Sequence, residues 1–210
     1  MDQKIIITVG RQIGSGGLQV ARMVAEKFGV EVYDKNLLMI TARESGIAPE
    51  FFDKRDEKPS VLGRFARFAG LRGSVYADSG VYSDSGNLSG DDLFAIQSEV
   101  IKSIAEKGSG VFVGRAADYV LRDDPHLMSV FITADADYRI AKVMEREHLS
   151  KAEAERFIAD ADRKRASYYN YYTFKKWGDG ASYDLCLNTS LLGLDATADL
   201  IVDIYRRFRR

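Results

Sequence analysis

Residues 5–9 read Ile-Ile-Ile-Thr-Val, and the eight residues that follow include Gly10, Gly14, Gly16 and Gly17. An unbroken β-branched run suits a strand covered on both faces, which means a parallel sheet under helices. The glycine-rich stretch must then turn. Helical spacing resumes over 18–28, with Val20, Met23, Val24 and Phe28 on one face and Gly29 as the stop. In a strand, glycine turn and helix in that order, the N–H groups of the turn and of the helix start point at one spot. The helix dipole favours negative charge there, so the arrangement suits phosphate. A purely structural strand-to-helix turn would use the same glycines, and the loop alone leaves both readings open.

The rest of the chain repeats the alternation. Strands are expected over 30–33, 110–113, 127–133 and 183–188, and helices over 35–45, 91–107, 135–147 and 195–208. Ser150-Lys151-Ala152-Glu153 forms a capping box that opens a further helix to about residue 172. Strands alternating with helices imply an α/β fold, a three-layer open parallel sheet with helices on both faces. A chain of 210 residues can bury one sizeable core. The expected organisation is one domain over 1–210, with 51–90, where Ser and Gly accumulate without periodicity, as an inserted cap or mobile excursion on the acceptor side.

Composition narrows the function classes. A formal net charge of -1 supplies no global basic field, so nucleic acid is not an expected partner. Cys186 is the one cysteine, which excludes an internal disulfide and a cysteine metal cluster; within Leu185-Cys186-Leu187 it is expected as a small buried hydrophobe. His126 and His148 lack metal spacing. No stretch approaches the ~20 apolar residues of a membrane helix, and no export signal opens the chain, so a cytoplasmic location without membrane attachment is expected.

The loop matches G-x-x-x-x-G-K-[ST] imperfectly: Gly17 stands at the lysine, and Leu18 or Gln19 at the hydroxyl that would face Mg²⁺. Arg11 is the nearest basic residue. The dinucleotide pattern G-x-G-x-x-G fits less well, because no glycine lies three residues after Gly16.

Three further segments accompany the loop: Tyr33-Asp34-Lys35, Val113-Gly114-Arg115-Ala116-Ala117-Asp118-Tyr119, and Asp162-Arg163-Lys164-Arg165. With Gly14-Ser15-Gly16-Gly17 they stand in the order seen in the cytidylate kinase-like family, which the chain resembles from Ile5 to about Tyr205, outside the excursion. The resemblance implies a P-loop kinase fold with an arginine-bearing helical lid, ATP and Mg²⁺ as cofactors, and transfer of the γ-phosphoryl group to a nucleoside monophosphate, CMP or dCMP. It implies that the backbone of Gly14, Ser15, Gly16, Gly17 and Leu18 cradles the donor phosphates with help from Arg11, and that Ser15 faces metal or phosphate. Asp34, Lys35, Arg115, Asp118 and Asp162 would face the acceptor, with Asp162 on its sugar. Arg139, Arg163 and Arg165 would neutralise the migrating charge.

The sequence departs from that family at the loop lysine, at the acceptor phosphate, where Lys35 or Arg43 would have to serve, and at the base-reading acid, where Ala116 stands and Asp118 follows two positions later. Plainer roles exist for the same residues. Arg163, Lys164 and Arg165 could be a solvated helix face. Arg139 could pair with Asp135 at i,i+4. Asp34 could cap a helix. The aromatic run Tyr168, Tyr169, Tyr171, Tyr172, Phe174 and Trp177 reads as core or interface packing. A degenerate P-loop module that binds nucleotide or phosphate without transfer is the rival function.

Overall fold

The computed structural model describes residues 4–38 and 90–208. The inserted-cap reading of 51–90, most of the helix expected over 35–45, and Arg43 lie outside the described residues.

Among the described residues five parallel strands make one sheet: β1 (Ile6–Arg11), β2 (Glu31–Tyr33), β3 (Gly110–Val113), β4 (Leu127–Thr133) and β5 (Leu185–Asn188). Their order is β2-β3-β1-β4-β5. The helices are α1 (Gly17–Phe28), α2 (Gly90–Lys107), α3 (Ala117–Val120), α4 (Ala136–Glu147), α5 (Lys151–Thr173), α6 (Thr189–Leu192) and α7 (Leu194–Phe208). β1 is central, paired to β3 on one side and β4 on the other.

Alternation along β1 sorts the core into two layers, as a two-residue period must. Ile7 and Val9 join Val20 and Val24 of α1, and Ile201 and Tyr205 of α7, on one face. Ile6 joins Val100 and Ile101 of α2 with Phe112 on the other. The two ends of the chain are tied by Tyr205. Its buried hydroxyl accepts from Ile6 N at 3.0 Å and donates to the carbonyl of His126 at 2.8 Å.

A third, smaller core lies off the sheet. Val143 of α4 and Ala154, Ile158 and Ala161 of α5 close around Ile13, a residue of the glycine loop that is 3% exposed. The expected capping box starts α5, with Ser150 N donating to Glu153 at 2.9 Å.

Two readings need correction. Cys186 is exposed, because β5 is an edge strand paired only through β4 among the described strands. Arg139 does not pair with Asp135: it meets Asp162, while Asp135 accepts from Asn188 Nδ2 at 2.9 Å. The short helices α3 and α6 lack the length to show a helical period in sequence.

Candidate active site

Parallel strands bring all their carboxyl ends to one rim. Here the rim carries Arg11 at the end of β1, Asp34 and Lys35 after β2, Gly114 and Arg115 after β3, and Thr133 at the end of β4. The chain leaves β1 toward β2 at one edge and later crosses to β4 on the other side. The crevice of an open α/β sheet forms at such a switch point.

The loop over β1 is built for close approach. Gly14 and Gly16 have φ of 77° and 75°, a region that disfavours side chains. A Cβ on Gly14 would also stand 2.7 Å from the backbone oxygen of Arg139. Gly16 is the N-cap of α1, and no side chain caps the helix there. The uncapped N–H groups of this helix start fit phosphate oxygens. Ser15 is fully buried; its hydroxyl donates to Gln12 O at 2.8 Å, and its carbonyl accepts from Thr189 at 2.7 Å. Its hydroxyl is thus engaged within the loop, and with Leu18 following, no other hydroxyl of the loop is available to magnesium. The cation fits here only as a phosphate complex keeping its waters, a common state for Mg²⁺.

Helix α5 lies along this rim and touches it at successive turns. Asp162 Oδ1 accepts from Ile13 N at 2.9 Å, and its Oδ2 takes Arg139 Nη1 at 2.6 Å, with both side chains mostly buried. Arg165 Nη1 donates to the carbonyl of Arg11 at 2.9 Å. Tyr168 lies under the Arg115 guanidinium, 5.3 Å from ring centre to Cζ. Tyr169 donates to Asp118 Oδ2 at 2.7 Å. Residues 162, 165 and 169 follow one helix face. That face gathers the β1 loop and the β3 turn, and with them Arg11, Arg115, Asp118, Arg139, Asp162 and Arg165.

The β3 turn is itself unusual. Gly114, Arg115 and Ala116 are successive left-handed residues, with φ of 74°, 59° and 53°. For non-glycine residues this conformation costs about 1–2 kcal/mol each, and such strain concentrates at functional turns.

Other expected residues sit apart. Arg163 pairs with Asp160 on the exposed side of α5. Asp34 Oδ1 accepts from Asn36 N and Leu37 N, both at 3.0 Å, so it caps the helical turn that starts at Lys35. Lys35 stands beside it at the β2 end of the rim. Tyr168 and Tyr169 pack as the sequence suggests, Tyr168 against Phe94 and Tyr172 and the buried Tyr169 against Tyr183, and their contacts with Arg115 and Asp118 are what the sequence does not reveal. Sequence reasoning missed one group. Gln12 was passed over; its Oε1 accepts from Thr133, joining the ends of β1 and β4.

Burial pushes the Asp118 carboxyl above the usual range, against the hydrogen bond from Tyr169 and the charge of Lys175. The unfolded chain ionises this group more readily than the native one. Its contribution is therefore most favourable below the unfolded pKa and declines as pH rises toward the folded value. Asp118→Asn keeps an acceptor for Tyr169 and removes the titration. We expect the variant to be more stable than wild type at pH ~7 and equal to it near pH ~3 in urea unfolding. A wild type at least as stable at neutral pH would refute this.

The model of the Cytidylate kinase-like family matches residues 6–191, which spans the loop, both turns and all of α5. The chain belongs to the cytidylate kinase-like family. It is 25% identical over 202 residues to a cytidylate kinase of Methanopyrus kandleri, covering 94% of this chain and 91% of that one. A cytidylate kinase of Pyrococcus horikoshii is 25% identical over 189 residues, covering 89% and 81%. A crystal structure of a protein from Eubacterium ventriosum superposes with a TM-score of 0.73 at 29% identity, over 97% of this chain and 99% of that one. Shikimate kinase from Bacteroides thetaiotaomicron matches at 0.53 with 13% identity, over 96% and 98%, and supports the P-loop kinase fold alone. The family and fold are those of nucleotide-binding kinases, and they imply use of ATP and Mg²⁺ in general. Among the described residues no helix is long and apolar enough to cross a membrane.

Proposed function

We propose that this protein is an ATP-dependent cytoplasmic phosphotransferase that moves the γ-phosphoryl group to a nucleoside monophosphate, with CMP or dCMP as the acceptors favoured by the resemblance. The observation that carries the reading is the convergence of Arg11, Arg139 and Arg165 on a glycine loop whose helix start is uncapped. An oxygen of the acceptor phosphate forms the new bond to the γ-phosphorus. The bond from that phosphorus to the β–γ bridging oxygen breaks, and ADP leaves with the electron pair. The protein's share is positioning and charge neutralisation. The backbone of Gly14, Ser15, Gly16, Gly17 and Leu18 holds the donor. Arg115, Asp118, Asp34 and Lys35 serve the acceptor side. Asp162 acts by holding Arg139 and the loop, and Arg163 would have to leave Asp160 to join them.

A binding-only role is not favoured, because permanent charges held at the glycine loop gain most when charge develops beside it. A coupled ADP-release assay over a panel of nucleoside monophosphates tests the reading. We expect turnover with cytidine monophosphates in the presence of Mg²⁺. ADP release that no monophosphate stimulates would refute it.

A further inference from the structure

Gly17 is not among the left-handed glycines, so backbone freedom does not explain it. Space does. A Cβ there would overlap the Cβ of Arg11 and stand 2.9 Å from its Cγ. The stem of Arg11 thus starts where a side chain at position 17 would start. Its far end is fixed by a second glycine: a Cβ on Gly114 would overlap Arg11 Nη1 and lie 3.4 Å from Cζ. Arg165 holds the Arg11 carbonyl, so the root of this side chain is anchored as well. The guanidinium therefore lies at the border between the β1 loop and the strained β3 turn that carries Arg115.

We propose that Arg11 is a catalytic residue whose guanidinium grips the transferring phosphoryl group between donor and acceptor, and that Gly17 is glycine so that it can lie there. A guanidinium at that border presents a planar fork to two sets of oxygens at once, which a lysine ammonium reaching from position 17 does not. The inference rests on the phosphotransferase reading.

Two comparisons test it, each with thermal melting to confirm folding. Arg11→Ala should lower kcat by about 10²–10³, the usual effect of losing one preorganised donor. Gly17→Ala should lower kcat when Arg11 is present and add nothing in the Arg11→Gly background, because there the overlapping Cβ is gone; fully additive effects would overturn the placement. Arg11→Gly with Gly17→Lys clears the overlapping Cβ and supplies an ammonium. It should regain about tenfold over Arg11→Gly alone, and a folded double variant no faster than the single one also counts against the proposal. If that variant does not fold, the Gly17→Ala comparison decides. If wild type transfers to no monophosphate, the function reading is what has failed. Arg11 is then judged by calorimetry: Arg11→Ala should weaken ATP binding about tenfold and leave AMP unchanged, and equal ATP affinity overturns the proposal.

Discussion

Asp162→Ala should lower the stability of the fold by about 3–5 kcal/mol, the range for removing one partner of a buried ion pair. The cause is specific. Arg139 keeps its charge in a mostly buried position, and the amide of Ile13 loses its acceptor in the same step. Asp162→Asn separates the two effects, since an amide oxygen can still accept from Ile13 while the charge on Arg139 goes unanswered. Urea unfolding should rank wild type above Asn and Asn above Ala. A loss under about 1 kcal/mol for the alanine variant would place the pair with exposed, solvent-screened bridges. Turnover should fall as well, because Arg139 is no longer held against the loop.

The second large effect is expected at Arg165. Its guanidinium fixes the carbonyl of Arg11 and so the path of the chain into the glycine loop. Arg165→Ala should depress kcat by about 10²–10³ and raise KM for ATP, because the loop it steadies is the one assigned to the donor phosphates. Arg165→Lys keeps the charge without the planar fork, and should recover only part of the rate. The measurement is steady-state kinetics with ATP and acceptor varied in turn. Wild-type rates for Arg165→Ala with every active acceptor would remove α5 from the site and return its charges to a solvated face.

Much of this architecture was legible before any coordinates. The β-branched run of β1, the loop glycines and the stop at Gly29 state their element through chemistry confined to a few neighbouring residues. The Ser150–Glu153 box is equally local. Spacing also placed Asp162 and Arg165 on one face of α5. Spacing could not supply their partners, which lie about 150 positions away in the backbone of the β1 loop. The same holds for Gly17: its role depends on a side chain six positions earlier that folds back over it, a contact no period predicts. Cys186 was misjudged because an apolar run does not tell a central strand from an edge strand.

Ile13 bears on how this molecule could open. A helical hairpin over a nucleotide crevice invites the picture of a cover on a hinge. Here α4 and α5 are closed around a side chain that belongs to the loop beneath them. Swinging the hairpin off by itself would return Ile13 to water, at about 1.5–3 kcal/mol, and would break the Ile13–Asp162 bond besides. The cheaper motion carries loop and hairpin together as one lever about the end of β1. On that view opening the crevice would also tilt the loop on which we propose the donor phosphates rest, and nucleotide release and hairpin movement would become a single mechanical event.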